Sequence, residues 1–266
     1  MGFSRLALLK LFSDDPALRT AYEQLFGPLP PAPADVDTAL LPAGGWPAVD
    51  AFFANVCKCF AAYVRRLVSA HSPFDVWVEG LRDGDPRKLA ALSPAAQRGA
   101  QLFVSRNCDL CHSGPNFTDM EFHSVRARLA RKELRRDSGR HDAVQKLLDD
   151  PFNGVGPFSD APEAGREKLD FVVQSEKDIG QFKTPSLRNV ALTAPYMHAG
   201  QYPTLRDVLR HYSEMDDVFD HDPGHFEQML EPLRFTEQQT AELIAFLESL
   251  TDTALDPALT RAPDGP

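Results

Sequence analysis

The sequence predicts a mainly α-helical protein, and three observations carry that prediction. Helix-start signals recur: Pro16 after the Asp14-Asp15 break, Ser93 before Pro94, Thr204, and Thr236 with Gln239 three residues on. A side-chain oxygen at the N-cap accepts from the orphan N–H groups of a first turn, and proline at the first helical position has no N–H to leave unpaired. Apolar residues return at helical spacing, as in Phe52, Phe53, Val56, Phe60, Tyr63 and Val64. No convincing run of strands and no internal repeat is present.

Residues 1–26 read as two short helices, and 27–35, GPLPPAPAD, as a proline-rich connector. A long amphipathic helix follows from Trp46 to about Ala70. SPFD at 72–75 and DGDP at 83–86 read as loops. Ser93-Pro94 then opens a helix that runs through Gly99, Leu102 and Phe103 into Cys108. RARLARKELRR at 126–136 reads as a basic helical stretch with a solvated face, and DPFNGVGPFSDAPEAG at 150–165 as a loop. Helices resume at Thr204 and at Thr236. The last has a capping box and an apolar face of Leu243, Ile244, Phe246, Leu247 and Leu250. The chain beyond about residue 253 is expected to fray. This divides it into a helical segment at 1–90, a compact domain at 91–253 and a tail at 254–266.

The 266 residues are 43% hydrophobic and 25% charged, an ordinary globular composition. With 28 Lys and Arg against 38 Asp and Glu, the net charge is −10. That argues against a nucleic-acid partner and suits a basic protein partner. No stretch approaches the roughly 20 apolar residues of a membrane span. The start, MGFSRLALLKLF, is interrupted by Lys10 and lacks a small-residue cleavage site, so it does not read as a signal peptide. Cys57 and Cys59, two apart on a helix, point in different directions and read as small buried hydrophobes.

Cys108-Asp109-Leu110-Cys111-His112 is a CxxCH motif. Two thiols can add across the two vinyl groups of haem, and the adjacent histidine can reach the iron. A zinc site would need a second ligand pair, and a thiol redox site an α/β pattern. Neither is present. The helix carrying Gly99 and Phe103 before the motif, and the capped helix at the end, fit a cytochrome c domain. In that fold the first and last helices cross, and a small residue permits close approach.

The stretch from Ser72 to Leu250 resembles the second haem domain of the bacterial dihaem cytochrome c peroxidase and MauG-like family. SPFD, NCDLCHSGPNFTD at 107–119, FH at 122–123, DSGR at 137–140 and FKTPSLRNVALTAPYMHAGQYPTL at 182–205 carry the resemblance. SRLALLKLFSDDPALRTAYEQLFGPLP and NVCKCFAAYVRRLVSA resemble the part that follows the family's first haem domain. The departures are a single CxxCH, no WDGRAD-like tryptophan segment, and Ser124 where many members have asparagine. The segment at 1–90 would therefore link to a first haem domain missing from this chain, and the catalytic acid would fall before Met1. The chain reads as a fragment, a product of a misplaced start, or a single-haem variant.

The resemblance implies one covalent haem c, with His112 on one side of the iron. It places the other ligand on the helix after Thr204, at Tyr212. Met215 is the alternative, one turn further along the same face as Leu205 and Val208, while His211 points about 100° away. The resemblance sets His198 in a loop near the haem. Arg188 suits either a haem propionate or a structural ion pair. A family calcium site would use Thr193 and Pro195, with its other ligands in the missing domain. His71, His123, His141, His221 and His225 show no ligand spacing. The implied function is the electron-transfer portion of a periplasmic dihaem peroxidase, reducing hydrogen peroxide at a second haem or using it to oxidise a protein substrate. A small redox protein would donate electrons, and members are often homodimers. The alternative is a stand-alone monohaem electron carrier without peroxidase activity.

Overall fold

The computed structural model describes residues 4–31, 46–127, 137–215 and 230–261. Residues 32–35 of the connector, most of the basic stretch, His221, His225 and the last five residues of the tail lie outside them. The chain divides into two compact units, Met1–Leu67 with Asp150–Asp170, and Val68–Asp149 with Phe171–Pro266. Residues 68–90, grouped by sequence with the leading segment, fold with the motif-bearing unit. Residues 150–170 join the leading unit.

In the first unit, α1 (Arg5–Asp14) and α2 (Pro16–Phe26) meet at Asp15, whose carboxylate accepts from the N–H groups of Ala17 and Leu18 at 2.8 and 3.0 Å. Both pack on α3 (Pro47–Val64) around Leu9, Tyr22, Val49, Phe52 and Val56. This helix ends near residue 64, short of the expected 70. Its last turns leave Phe60, Tyr63 and Val64 exposed, and Cys57 and Cys59 are exposed as well. The buried face of α3 runs through Val49, Phe52 and Val56, so the two thiols fall outside it and are not core residues.

The second unit begins with α4 (Pro73–Asp83). SPFD is its start rather than a loop: Ser72 and Asp75 form a reciprocal capping box. Asp85, from DGDP, caps the short α5 (Pro86–Leu89). Ser93 caps α6 (Pro94–Ser105), which leads into a tight turn at Cys108–Leu110. Two short antiparallel strands, β1 (Phe122–His123) and β2 (Phe182–Lys183), are the sheet among the described residues; Phe122 faces Lys183 and His123 faces Phe182. Between them lies α7 (Arg140–Asp149), while α8 (Pro162–Leu169) belongs to the first unit. The chain closes with α9 (Leu205–Glu214), α10 (Glu237–Glu248) and the short α11 (Pro257–Thr260).

The second core is built where α6 crosses α10, from Phe103, Phe117, Leu209, Leu243, Phe246 and Leu250. The crossing is as close as Gly99 allows. A Cβ there would stand 2.0 Å from the Glu242 carbonyl oxygen and 2.8 Å from the Phe246 Cβ. The small residue expected from the sequence is therefore a steric requirement.

Candidate haem site

The motif sits at the end of α6. A left-handed Asn107 (φ 61°) stops the helix, and the chain turns so that the His112 N–H donates to the Cys108 carbonyl at 3.0 Å. This brings two thiols and an imidazole onto one short turn. The ring of His112 is fixed by its Nδ1, 3.0 Å from the Phe117 carbonyl oxygen. A carbonyl can only accept, so Nδ1 carries the proton and Nε2 presents a lone pair. The Pro185 carbonyl also bears on the ring as a hydrogen-bond acceptor. Burial pulls the His112 pKa down, with the Phe117 carbonyl and Asp119 working against it. The balance favours the neutral, metal-binding form.

Tyr212 stands close to the two cysteines. Burial pushes its phenol strongly upward, and the nearby Cys108 and Cys111 thiols push in the same direction. Its hydroxyl has no hydrogen-bond partner among the described residues. Burial likewise pushes the Cys108 thiol up to about 11, with Asp109 adding to it. Cys108, Cys111, His112 and Tyr212 are all hemmed in by protein, yet each keeps part of its surface accessible. No disulfide joins the thiols. Two adjacent thiols, an imidazole aimed by its back nitrogen and a phenol without a partner suit a covalently held haem.

The other residues singled out from the sequence are placed as follows. Met215 is buried at the C-cap of α9 in a left-handed conformation (φ 51°). His211 turns away from the Tyr212 face and is buried, with Nδ1 3.1 Å from the Tyr202 hydroxyl and Nε2 2.9 Å from the Val125 carbonyl oxygen. His198 stacks on Phe182 with centroids 3.5 Å apart, and its Nε2 lies 3.0 Å from Asp137. Arg188 places its guanidinium on Asp75, Ser72 and the Pro115 carbonyl. The Thr193 hydroxyl donates to the Val190 carbonyl at 3.1 Å.

Sequence reasoning missed two features. The first is the Phe117 carbonyl, a backbone group without a sequence signature. The second is Asp119 with His123, paired at 2.7 Å beside Cys111; the three ligand atoms lie within 4.8 Å of one another. The separation of four residues was the available signal.

Fold and site together define a c-type cytochrome domain. No family model matches the chain. Cytochrome-c peroxidase IdrP1 of Denitromonas iodatirespirans is 35% identical over 217 residues, 78% of this chain and 51% of that protein. Methylamine utilization protein MauG of Methylorubrum extorquens is 30% identical over 197 residues, 74% of this chain and 44% of that protein. The chain spans about half the length of the curated relatives it matches. The crystal structure of the diheme peroxidase BthA from Burkholderia thailandensis shares the fold, with a TM-score of 0.65 at 22% identity across 96% of this chain and 60% of that one. A MauG-like protein associated with microbial copper homeostasis gives a TM-score of 0.58 at 24% identity, covering 97% and 64%. The chain belongs to the MauG-like dihaem cytochrome c peroxidase family.

Proposed function

We propose that this chain is the electron-transfer portion of a dihaem cytochrome c peroxidase, which reduces hydrogen peroxide or uses it to oxidise a protein substrate. One observation carries the reading: His112, its ring fixed at Nδ1 by the Phe117 carbonyl, shares its site with two thiols and a half-buried tyrosine whose hydroxyl has no hydrogen-bond partner among the described residues. Haem attached there would take up and pass on single electrons. Cys108 and Cys111 would hold it covalently, His112 would bind one side and Tyr212 the other. A phenolate suits ferric iron, and the cost of ionising a buried phenol is met only by direct bonding to a cation. Met215 is the alternative ligand, and a thioether would favour the reduced state instead.

In this reading the protein is periplasmic, where c-type haem is attached, and a small redox protein supplies electrons. The acidic net charge of −10 suits a basic donor. No helix among the described residues is long and apolar enough to cross a membrane. Expression in a host that matures c-type haem, followed by pyridine haemochrome and intact mass, should give one covalent haem per chain. The Cys108→Ala, Cys111→Ala double variant should lose it. Tyr212→Phe should turn the ferric spectrum high-spin and admit cyanide, while Met215→Leu changes little. Haem extractable into acid-acetone would refute the attachment. A near-infrared methionine–iron band, lost only in Met215→Leu, would refute the tyrosine.

A further inference from the structure

A group of residues behind His112 has no role in the account above. Arg188 is 11% exposed and grips Asp75 with both prongs, Nη1 to Oδ2 at 2.5 Å and Nη2 to Oδ1 at 2.8 Å. Nη1 is also 3.4 Å from the Ser72 hydroxyl oxygen. Asp75 is itself fixed by the capping box that opens α4. On its other edge, Arg188 Nε donates to the Pro115 carbonyl at 2.8 Å, and the guanidinium carbon lies 5.4 Å from the centre of the Phe117 ring. Ser186, two residues earlier, donates its hydroxyl to the Asn116 carbonyl at 2.7 Å. Three successive residues, 115 to 117, are thus held from one neighbouring loop.

What these residues hold is strained. Phe117 has φ 52°, a left-handed conformation that bulky side chains avoid and that persists only where the surroundings over-determine it. Its ring is wedged among Phe74, Phe103 and Phe246. Its carbonyl oxygen is the one that His112 Nδ1 meets. The direction of that carbonyl therefore depends on keeping the turn in its unfavourable shape. The Pro185 carbonyl, on the same loop as Arg188, also faces the His112 ring.

We propose that Arg188, anchored by Asp75, is a positioning residue for the axial histidine. It holds the Pro115–Phe117 turn so that the Phe117 carbonyl stays on Nδ1. That bond fixes the tautomer and plane of the imidazole and makes Nε2 a more electron-rich ligand, which favours oxidised iron. The assignment rests on His112 being a haem ligand, and it predicts a redox effect from an arginine that meets the ring only through another residue's backbone.

The test is potentiometric titration and ferric EPR of the haem-loaded protein. Arg188→Lys keeps the charge and removes the fork, so a shift in potential reports geometry rather than charge. It should raise the midpoint by roughly tenfold in the reduction equilibrium, about 59 mV for one electron, the lower end of typical losses when a ligand's outer partner is removed. Asp75→Glu keeps both charges and displaces the anchor. It should shift the midpoint the same way, and it decides the matter if Arg188→Lys does not fold. Arg98→Gln is the control: it breaks another partly buried bridge of the same unit, Arg98 to Glu242 at 2.6 Å, and should lower stability without moving the potential. Lower stability with an unmoved potential and EPR spectrum in Arg188→Lys and Asp75→Glu would make the pair purely structural. So would an equal shift in Arg98→Gln. A wild-type chain without covalent haem would instead remove the ligand reading on which the proposal stands.

Discussion

Gly99→Ala should destabilise this protein, against the usual sign for that change. In a helix interior, alanine is favoured over glycine by about 1 kcal/mol. Here the new Cβ would stand 2.0 Å from the Glu242 carbonyl oxygen, about 1.4 Å short of ordinary contact at 3.4 Å. The obstruction is backbone, so no rotamer change relieves it, and α6 must lift off α10. Overpacking of this kind costs about 1–3 kcal/mol, and a rigid obstruction belongs at or beyond the upper end. After the propensity gain, a net loss of about 2 kcal/mol remains, roughly 4–8 °C in Tm for a chain of this size. Thermal and urea unfolding of the haem-loaded protein would measure it. Because α6 delivers the chain to Cys108 and carries Phe103 against His112, with ring centroids 6.4 Å apart, the Soret band should shift too. An alanine variant as stable as wild type would refute the close crossing.

Two further outcomes are expected. With one CxxCH and no second haem motif in its sequence, the chain alone should turn over peroxide near the free-haem background in steady-state assays with a reduced donor cytochrome; turnover in the ordinary enzyme range, about 1–1,000 per second, would show that its haem is the catalytic one. Acid should unfold it through Asp75 and Asp252. Burial works to raise both carboxyls, but hydrogen bonds from Arg188 and Ser72, and from the N–H groups of Ala254, His71 and Ala70, outweigh it and leave both lowered. Stability from a lowered carboxyl is complete above its unfolded pKa of about 3.9 and is lost as pH falls through the lower folded value. Tm should therefore hold down to about pH 5 and drop below about pH 4, less steeply in Asp252→Asn; a flat profile to pH 3 would contradict this.

Local chemistry made much of the fold legible. Caps at Ser93, Thr204 and Thr236 and the break at Asp15-Pro16 are satisfied within a few residues, so the sequence alone places those helices. The same holds for CxxCH, whose spacing is itself the chemistry. SPFD shows the limit: it reads as a loop, yet Ser72 and Asp75 have capping-box spacing and Pro73 takes the first helical position, as Pro94 does after Ser93. Exposure was harder to read. The apolar pattern of α3 runs past Val56, yet Cys57, Cys59 and Phe60 are exposed, because which face is covered depends on distant partners such as α1 and α2. The placement of 150–170 with the first unit depends on long-range contacts too, including Arg5 stacked 4.8 Å from the Phe152 ring centre. At the site, the thiols and imidazole were readable, but the Phe117 carbonyl was not, since every residue has one.

His211 bears on how Tyr212 is aimed. The Val125 carbonyl can only accept, so Nε2 carries a proton, and Nδ1 meets the Tyr202 hydroxyl on the other side of the ring. Successive residues on a helix are set 100° apart, so fixing one bearing fixes the next. The histidine works as a key in a slot: α9 cannot roll about its axis, nor slide by a turn, without breaking both bonds inside a dry interior. Exchanging one side chain for another at the haem face would require that unlocking first. The neighbour that faces away thus decides what the tyrosine faces.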